Sequence, residues 1–338
     1  MDSYILQKEK LNNFLDSLKE YEIWAPVQKD ATTLFEVIRD FQNISLDLNH
    51  QPIISKSAVF PQTEPLFTFD NDAAIKETSP KEEKDTIVFG IRPCDARSFK
   101  LLDPVFEGDF PDPYYLTRRN KTALIGIACN EPFPNCFCTS IDGNPFSKEG
   151  LDLLFTSLND SFYIEVITDK GKTIIDKASS HLTQAKAEDT KEKEQLAKAS
   201  EGKIKRQINL DGIKEKLAAI FEHAIWDKFS SKCIGCGICT YSCPTCYCFD
   251  MQDESSARKG RRVRTWDSCM FAEYTLHASG HNPRPTRTER LRNRIYHKFK
   301  FNIDNFGVPS CVGCGRCIAL CPVNVDLIEI LSTIKEAE

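Results

Sequence analysis

Apolar residues recur at helical spacing over residues 4–20, where Ile5, Leu11, Phe14, Leu15 and Leu18 share one face, so a helix is expected to open the chain. Short β-branched or aromatic runs at Thr33–Ile38, Ile53–Phe60, Thr86–Ile91, Ala123–Ala128 and Phe162–Thr168 read as strands. Together they predict a mixed α/β scaffold built on a sheet. Residues 178–206 are nearly all good helix formers with few large apolar side chains, which reads as a solvated helix or a flexible connector. Beyond it, Leu217, Ile220, Phe221 and Ile225 follow a 3.6-residue period and predict a helix over Ile213–Phe229. The stretch TRTERLRNRIYHKFKF predicts another. The chain is therefore expected to divide into an α/β domain over 1–177, a charged linker or insertion over 178–206, and a cysteine-rich domain over 207–338.

Two runs of four cysteines dominate the last part. Cys233, Cys236, Cys239 and Cys243 precede Pro244, and Cys311, Cys314, Cys317 and Cys321 precede Pro322, both with the spacing C-x2-C-x2-C-x3-C-P. This is the signature of a two-cluster ferredoxin. Three thiolates on one tight loop reach three irons of a cubane, while the fourth sulfur points away and ligates the other cluster. Cys233, Cys236, Cys239 and Cys321 are thus expected to hold one [4Fe-4S] cluster, and Cys311, Cys314, Cys317 and Cys243 the second. Gly235, Gly237, Gly313 and Gly315 lie between the ligands, where the backbone must turn tightly. Structural zinc also uses four cysteines, but its usual pattern is two separated C-x2-C pairs with no trailing Cys-Pro. The fold expected overall is α+β, with an α/β N-terminal domain followed by a helical dicluster ferredoxin-like domain.

The chain has 338 residues, more than one ordinary core organises, and fifteen cysteines. The opening MDSYILQKEKLNNF lacks the apolar core of a signal peptide, and no later stretch is long enough to span a bilayer. A cytoplasmic, reducing location is expected, so the cysteines read as metal ligands rather than disulfides. Four of them, Cys94, Cys129, Cys136 and Cys138, follow two expected strands or lie in the turn-rich fragment ACNEPFPNCFC. Four thiols is the number a cubane needs, so a third [4Fe-4S] cluster is expected there, with Arg92, Arg97 and Arg118 nearby to favour thiolates. Packing as small hydrophobes is the competing reading. Cys246, Cys248 and Cys269 make only three and read as thiols packed around the clusters.

Net charge is a mild −5, yet Arg258–Lys300 holds twelve Lys and Arg against three acids. Such a run is either a solvated face, or Arg261, Arg262, Arg264, Arg287 and Arg290 dock an acidic partner or raise the potential of nearby anionic clusters. An alternative function uses the basic 258–300 segment to bind nucleic acid, with iron–sulfur or zinc serving only the fold. No reading helix or aromatic platform supports it, and no nucleic-acid partner is expected. Trp266 and Tyr274 are expected in the core.

The segments IRPCDARSF, DPYYLTRR, ACNEPFPNCFC, CIGCGICTYSCPTCYCFD, WDSCMFAEYT, HKFKF and CVGCGRCIALCPV occur in this order from about residue 85 to the end. Together they resemble the iron–sulfur electron-transfer subunit shared by cytosolic sulfhydrogenases, where it is the beta subunit, and anaerobic sulfite reductases. The resemblance implies a hetero-oligomer in which a multi-cluster relay links a flavin subunit that oxidises NAD(P)H, or a ferredoxin, to a catalytic subunit. That catalytic subunit would be a nickel–iron hydrogenase or sulfur reductase, or a sirohaem sulfite reductase, so the acceptor is sulfite, protons or polysulfide. The charged 178–206 stretch is foreign to that pattern. No G-x-G-x-x-G follows a strand and no Walker-type loop is present, so no nucleotide site and no catalytic residue is expected on this polypeptide.

Overall fold

The computed structural model describes residues 2–30, 32–46, 55–70, 75–78, 84–256 and 258–336. Its strands, numbered in chain order, are β1 (Ser3–Gln7), β2 (Glu22–Lys29), β3 (Thr32–Ile38), β4 (Thr63–Asp70), β5 (Ile75–Glu77) and β6 (Thr86–Ile91). They continue with β7 (Thr122–Ile127), β8 (Leu153–Ser157), β9 (Ser161–Val166), β10 (Leu182–Gln184), β11 (Phe249–Ser256) and β12 (Lys259–Trp266). The chain forms two compact units, and both are discontinuous. The first takes Met1–Val59, Lys81–Arg206 and Val312–Cys314; the second takes Phe60–Pro80, Gln207–Cys311 and Gly315–Glu338. This grouping differs from the expected 1–177, 178–206 and 207–338 division, because strand pairing pulls Phe60–Pro80 into the second unit.

The first unit is built on an eight-stranded sheet in the order β10-β1-β9-β8-β7-β6-β2-β3. Its centre, β2-β6-β7-β8, is parallel, and the flanking pairs are antiparallel. The sequences TIVFGI of β6 and TALIGI of β7 are nearly continuous apolar runs, as strands covered on both faces require. A crossover through the helices Pro93–Glu107 and Pro113–Lys121 joins them, the second helix opened by Asp112, whose carboxylate accepts from the Tyr114 and Tyr115 amides. Leu6, Phe14, Leu15, Phe89, Ile125, Phe155 and Ile164 fill the core, with Phe155 meeting Phe14 and Phe89 edge to face.

Two local expectations fail here. Residues 4–20 do not form one helix: Ser3–Gln7 is strand β1, paired between β9 and β10, and only Leu11–Asp16 is helical. Sheet pairing overrides a weak helical period. In Ile53–Phe60, Ser55–Ala58 is a 3-10 turn rather than a strand, while residues 53 and 54 lie outside the described residues. A short apolar run carries no period strong enough to separate the two states.

The 178–206 stretch is not a connector. Its helix, Ala187–Lys203, belongs to the first unit and sets Leu196 against Ile5, Leu158 and Tyr163, while Lys193 pairs with Glu165 at 3.1 Å. Its one buried residue, Ser200, donates its hydroxyl to the Cys129 carbonyl.

The second unit contains the short helices expected around the cysteines and also an antiparallel sheet, β11-β12-β4-β5, so a purely helical description is incomplete. Within it Arg264 of β12 lies directly across from Glu64 of β4. Both are buried, and the Arg264 Nε and Nη2 donate to Glu64 Oε1 at 2.9 and 2.5 Å. Removing one charge leaves the other buried without its counter-ion. Glu64→Gln is therefore expected to lower stability by roughly 3 to 5 kcal/mol. Urea unfolding followed through Trp266, which stacks on Phe60 with centroids 5.8 Å apart, measures this; an unchanged midpoint would refute it.

The helix expected over Ile213–Phe229 breaks into Ile213–Ala219 and Ile225–Ser230, because the Trp226 indole donates to the Ile220 carbonyl at 2.9 Å and His223 caps the Ile225 amide at 3.1 Å. The helix Arg287–Tyr296 opens with a reciprocal cap between Thr286 and Glu289 and runs on through a π turn, His297–Phe301, into Asn302–Phe306. The closing helix, Leu327–Glu336, buries Leu327, Ile330, Leu331 and Ile334 at three- and four-residue intervals.

Candidate metal centres

The two cysteine runs fold alike. Gly235, Gly237, Gly313 and Gly315 all have positive φ, between 63° and 76°. Gly237 and Gly315 each sit at the N-cap of a one-turn helix, Ile238–Tyr241 and Arg316–Ala319, which carry Cys239 and Cys317.

In the second unit Cys233, Cys236, Cys239, Cys317 and Cys321 line one cavity. Four of them are the residues expected for the first cluster, including the crossed ligand from the distant run; the fifth, Cys317, is expected for the second. The rest of the wall is mostly apolar, with Ile238, Met270, Leu291, Ile295 and Val325 among the lining residues, and Arg294 is the only basic member among the described residues. The Val325 amide donates to the Cys321 sulfur at 3.2 Å. Cys236 and Ile234 are exposed at this site. Thiols from both runs round an apolar pocket, with a backbone N–H on sulfur, fit a cubane. Among the described residues, no three His, Cys, Asp or Glu side chains are arranged to hold a single metal ion.

Of the residues expected for the second cluster, Cys317 lies within electrostatic range of Cys311 and Cys243 in the second unit. Burial pushes the Cys317 thiol up to about 12, so the metal-free site keeps its proton and cluster assembly must displace it. Cys243 behaves oppositely. A hydrogen bond from Cys246 holds it well below the usual thiol range, and Lys298 and Arg294 add to this against the effect of burial. Lys298 Nζ is 3.3 Å from Cys243 Sγ, and Arg294 Nη1 is 3.6 Å from Cys246 Sγ.

Cys246, Cys248 and Cys269 come together beside these ligands. Cys246 hydrogen-bonds to Cys243, and Cys248 to Cys269 and Tyr274. Cys269 is pushed up by its bond to Cys248 and by burial.

The fourth expected ligand, Cys314, is grouped with the first unit, where it neighbours Cys136 and Cys138. The Phe137 amide donates to the Gly313 carbonyl at 2.8 Å. Gly313 has no room for a side chain: a Cβ would stand 2.5 Å from Cys138 Cα, and φ is +63°. Gly313→Ala is therefore expected to displace the Cys311–Cys314 loop and to lower cluster content markedly; iron analysis at unchanged protein yield measures this, and full iron occupancy would refute it.

Of the four N-terminal thiols, Cys129, Cys136 and Cys138 lie within electrostatic range of one another. Burial, followed by the neighbouring Cys129, pushes Cys136 and Cys138 up to about 12. Cys94, in the first turn of Pro93–Glu107, and Cys129 follow the carboxyl ends of β6 and β7, which are adjacent and parallel. That end of a parallel sheet is where α/β folds place ligands. Arg97 is buried, donates to the Ile141 carbonyl and pairs with Glu149 at 3.1 Å, so it braces the loop after Cys138. Arg92 lies over the Phe133 ring, 5.5 Å from its centroid.

The basic segment is not one open face. Arg264, Arg290, Arg294 and Lys298 are buried; Arg290 donates to the Arg284 and Pro285 carbonyls, which removes it as a docking residue. Arg261 and Arg262 pair with Glu254 and Asp253 across the β11–β12 hairpin, each at 2.7 Å. Arg287 is exposed and donates to the Cys233 carbonyl at 2.6 Å. Sequence reading named Arg264 and Arg290 but missed the inward Arg294 and Lys298. Their signal was the four-residue spacing of Arg290, Arg294 and Lys298, in step with the buried Leu291, Ile295 and Phe299.

The two cysteine runs and their folded glycine turns define a dicluster iron–sulfur protein, and residues 232–325 match the family model of the 4Fe-4S dicluster domain. Over 333 residues, 98% of both chains, the sequence is 31% identical to the Sulfhydrogenase 2 subunit beta of Pyrococcus furiosus. The chain belongs to the sulfhydrogenase beta-subunit family, the group of iron–sulfur electron-transfer subunits that its motifs resemble. No solved structure matches it. Among the described residues, no helix is long and apolar enough to cross a membrane.

Proposed function

We propose that this chain is the electron relay of a cytoplasmic, anaerobic hetero-oligomer, linking a flavin subunit that oxidises NAD(P)H, or a ferredoxin, to a catalytic redox subunit. The observation that carries the reading is the cavity lined by Cys233, Cys236, Cys239, Cys317 and Cys321, which joins expected ligands from both cysteine runs. [4Fe-4S] clusters supply reversible one-electron transfer when bound. The protein's own part is to hold the thiolates, exclude water from the apolar wall and donate to sulfur. Exposure of Cys236 and Ile234 gives a redox partner access to this edge. The catalytic subunit is a nickel–iron hydrogenase or sulfur reductase, with sirohaem sulfite reductase as the alternative; the name of the Pyrococcus relative supports the hydrogenase.

Cys311, Cys314, Cys317 and Cys243 hold the second cluster in this reading. Cys94, Cys129, Cys136 and Cys138 hold a third, supported by the convergence of three of these thiols at the carboxyl end of parallel strands. The test is a reductive titration of the anaerobically purified complex, with identification of its catalytic cofactor. Reversible cubane signals are expected, together with a co-purifying nickel–iron or sirohaem protein. Clusters that take up no electrons before they decompose would reduce them to a structural role.

A further inference from the structure

Lys298 sits in the π turn His297–Phe301, in the interior of the second unit at 4% exposure. Its ammonium group makes three hydrogen bonds: to the Cys243 sulfur at 3.3 Å, the Thr245 hydroxyl oxygen at 3.0 Å and the Ser310 carbonyl at 2.8 Å. Three donors meet three acceptors, so the direction of each N–H is set. The Thr245 hydroxyl in turn donates to Ser310 at 2.9 Å, tying the ammonium's two oxygen partners together. A π turn inside an α-helix re-aims the side chains it carries and is often found at functional sites. Burying an ammonium costs several kcal/mol unless negative charge lies close by, and the sulfur that Lys298 touches is the only one of its three partners able to carry such charge.

Arg294 lies one helical turn earlier, also buried, but its placement differs. It lines the cavity of Cys233, Cys236, Cys239 and Cys321 and touches Cys246, with Cys239, Cys317 and Cys243 in electrostatic range. It therefore faces sulfurs of both expected ligand sets. Lys298 faces Cys243 and, at longer range, Cys246 and Cys311. Of the expected ligands within its range, both belong to the second set.

We propose that Lys298 sets the two clusters apart in reduction potential, raising the cluster that uses Cys243 above the one that uses Cys321. A cubane held by four thiolates is anionic and gains one more negative charge on reduction, so a fixed cation hydrogen-bonded to a ligand sulfur stabilises the reduced form more. Arg294 shifts both clusters in the same direction; Lys298 supplies the difference. An electron entering at the exposed Cys236 edge then comes to rest on the Cys243 cluster. The inference rests on the dicluster reading above.

The test is a potentiometric titration monitored by electron paramagnetic resonance on the full-length holoprotein, comparing wild type with Lys298→Met and Lys298→Arg. The signal lost in Cys243→Ser identifies the second cluster. Lys298→Met is expected to lower the midpoint of that cluster and leave its neighbour in place, and Lys298→Arg to restore most of the shift. Equal midpoints in wild type and Lys298→Met would overturn the proposal, because a merely structural lysine would not move a potential. If Lys298→Met loses its cluster, the wild-type protein labelled with lysine carrying nitrogen-15 at Nζ decides instead. Hyperfine coupling of that nitrogen to the reduced Cys243 cluster supports the contact, and its absence overturns it. A wild-type protein with no cubane signal at all would instead remove the dicluster reading itself.

Discussion

Cys243→Ser is expected to abolish the cluster built on Cys311, Cys314 and Cys317 and to spare the one built on Cys233, Cys236 and Cys239, although Cys243 is contiguous with the latter in sequence. Iron content should fall by about four per chain, one cubane. The reason is the crossing of ligands, and the cavity does bring the two runs together: Cys317 and Cys321 line the same space as Cys233, Cys236 and Cys239. Serine keeps an acceptor for the Lys298 ammonium and a donor for the Thr245 oxygen, so the fold around the site is expected to survive. Cys321→Ser should give the mirror result. Electron paramagnetic resonance of each reduced variant is the measurement. A Cys243→Ser protein that loses the Cys233 cluster and keeps the Cys311 cluster would show that each run closes on itself.

The second large effect concerns the N-terminal thiols. Anaerobically prepared protein is expected to carry about twelve irons per chain, against about eight for two cubanes alone. Replacing Cys136 and Cys138 together by serine should bring the count down to about eight and leave both dicluster signals in place. Cys138 is buried and Cys136 half-buried, both within electrostatic range of Cys129, and burial followed by Cys129 pushes them up to about 12. Keeping several such sulfurs deprotonated requires bound positive charge, which iron provides. Cys314 also neighbours this group, so the dicluster signals are the control that separates a third site from damage to the second. An iron count of about eight in wild type, with Cys94, Cys129, Cys136 and Cys138 all alkylated in the iron-replete protein, would make these four residues packing and shorten the relay to two clusters.

The dicluster itself was legible in the sequence because its chemistry is local. Three sulfurs two residues apart, with glycine between them and Cys-Pro behind, specify a loop whose geometry owes little to the rest of the chain, and the glycines do adopt the turn that loop needs. The central strands β6 and β7 were legible for a similar reason, since strands buried on both faces are apolar throughout. Only the tertiary structure decided what depends on partners far away in sequence. Ser3–Gln7 is a strand because β9 and β10 complete its hydrogen bonds. The charged 178–206 stretch holds an ordered helix because Leu196 and Ser200 find the sheet and the Cys129 loop. Phe60–Pro80 joins the second unit because β4 pairs with β12, two hundred residues on, where Glu64 meets Arg264. The basic run between the clusters read as one patch, yet it divides into exposed arginines paired across a hairpin, buried arginines held by Glu64 or by backbone carbonyls, and two buried cations, Arg294 and Lys298, that touch sulfur. Charge in a sequence has a sign but no direction; burial and a defined set of acceptors give it one.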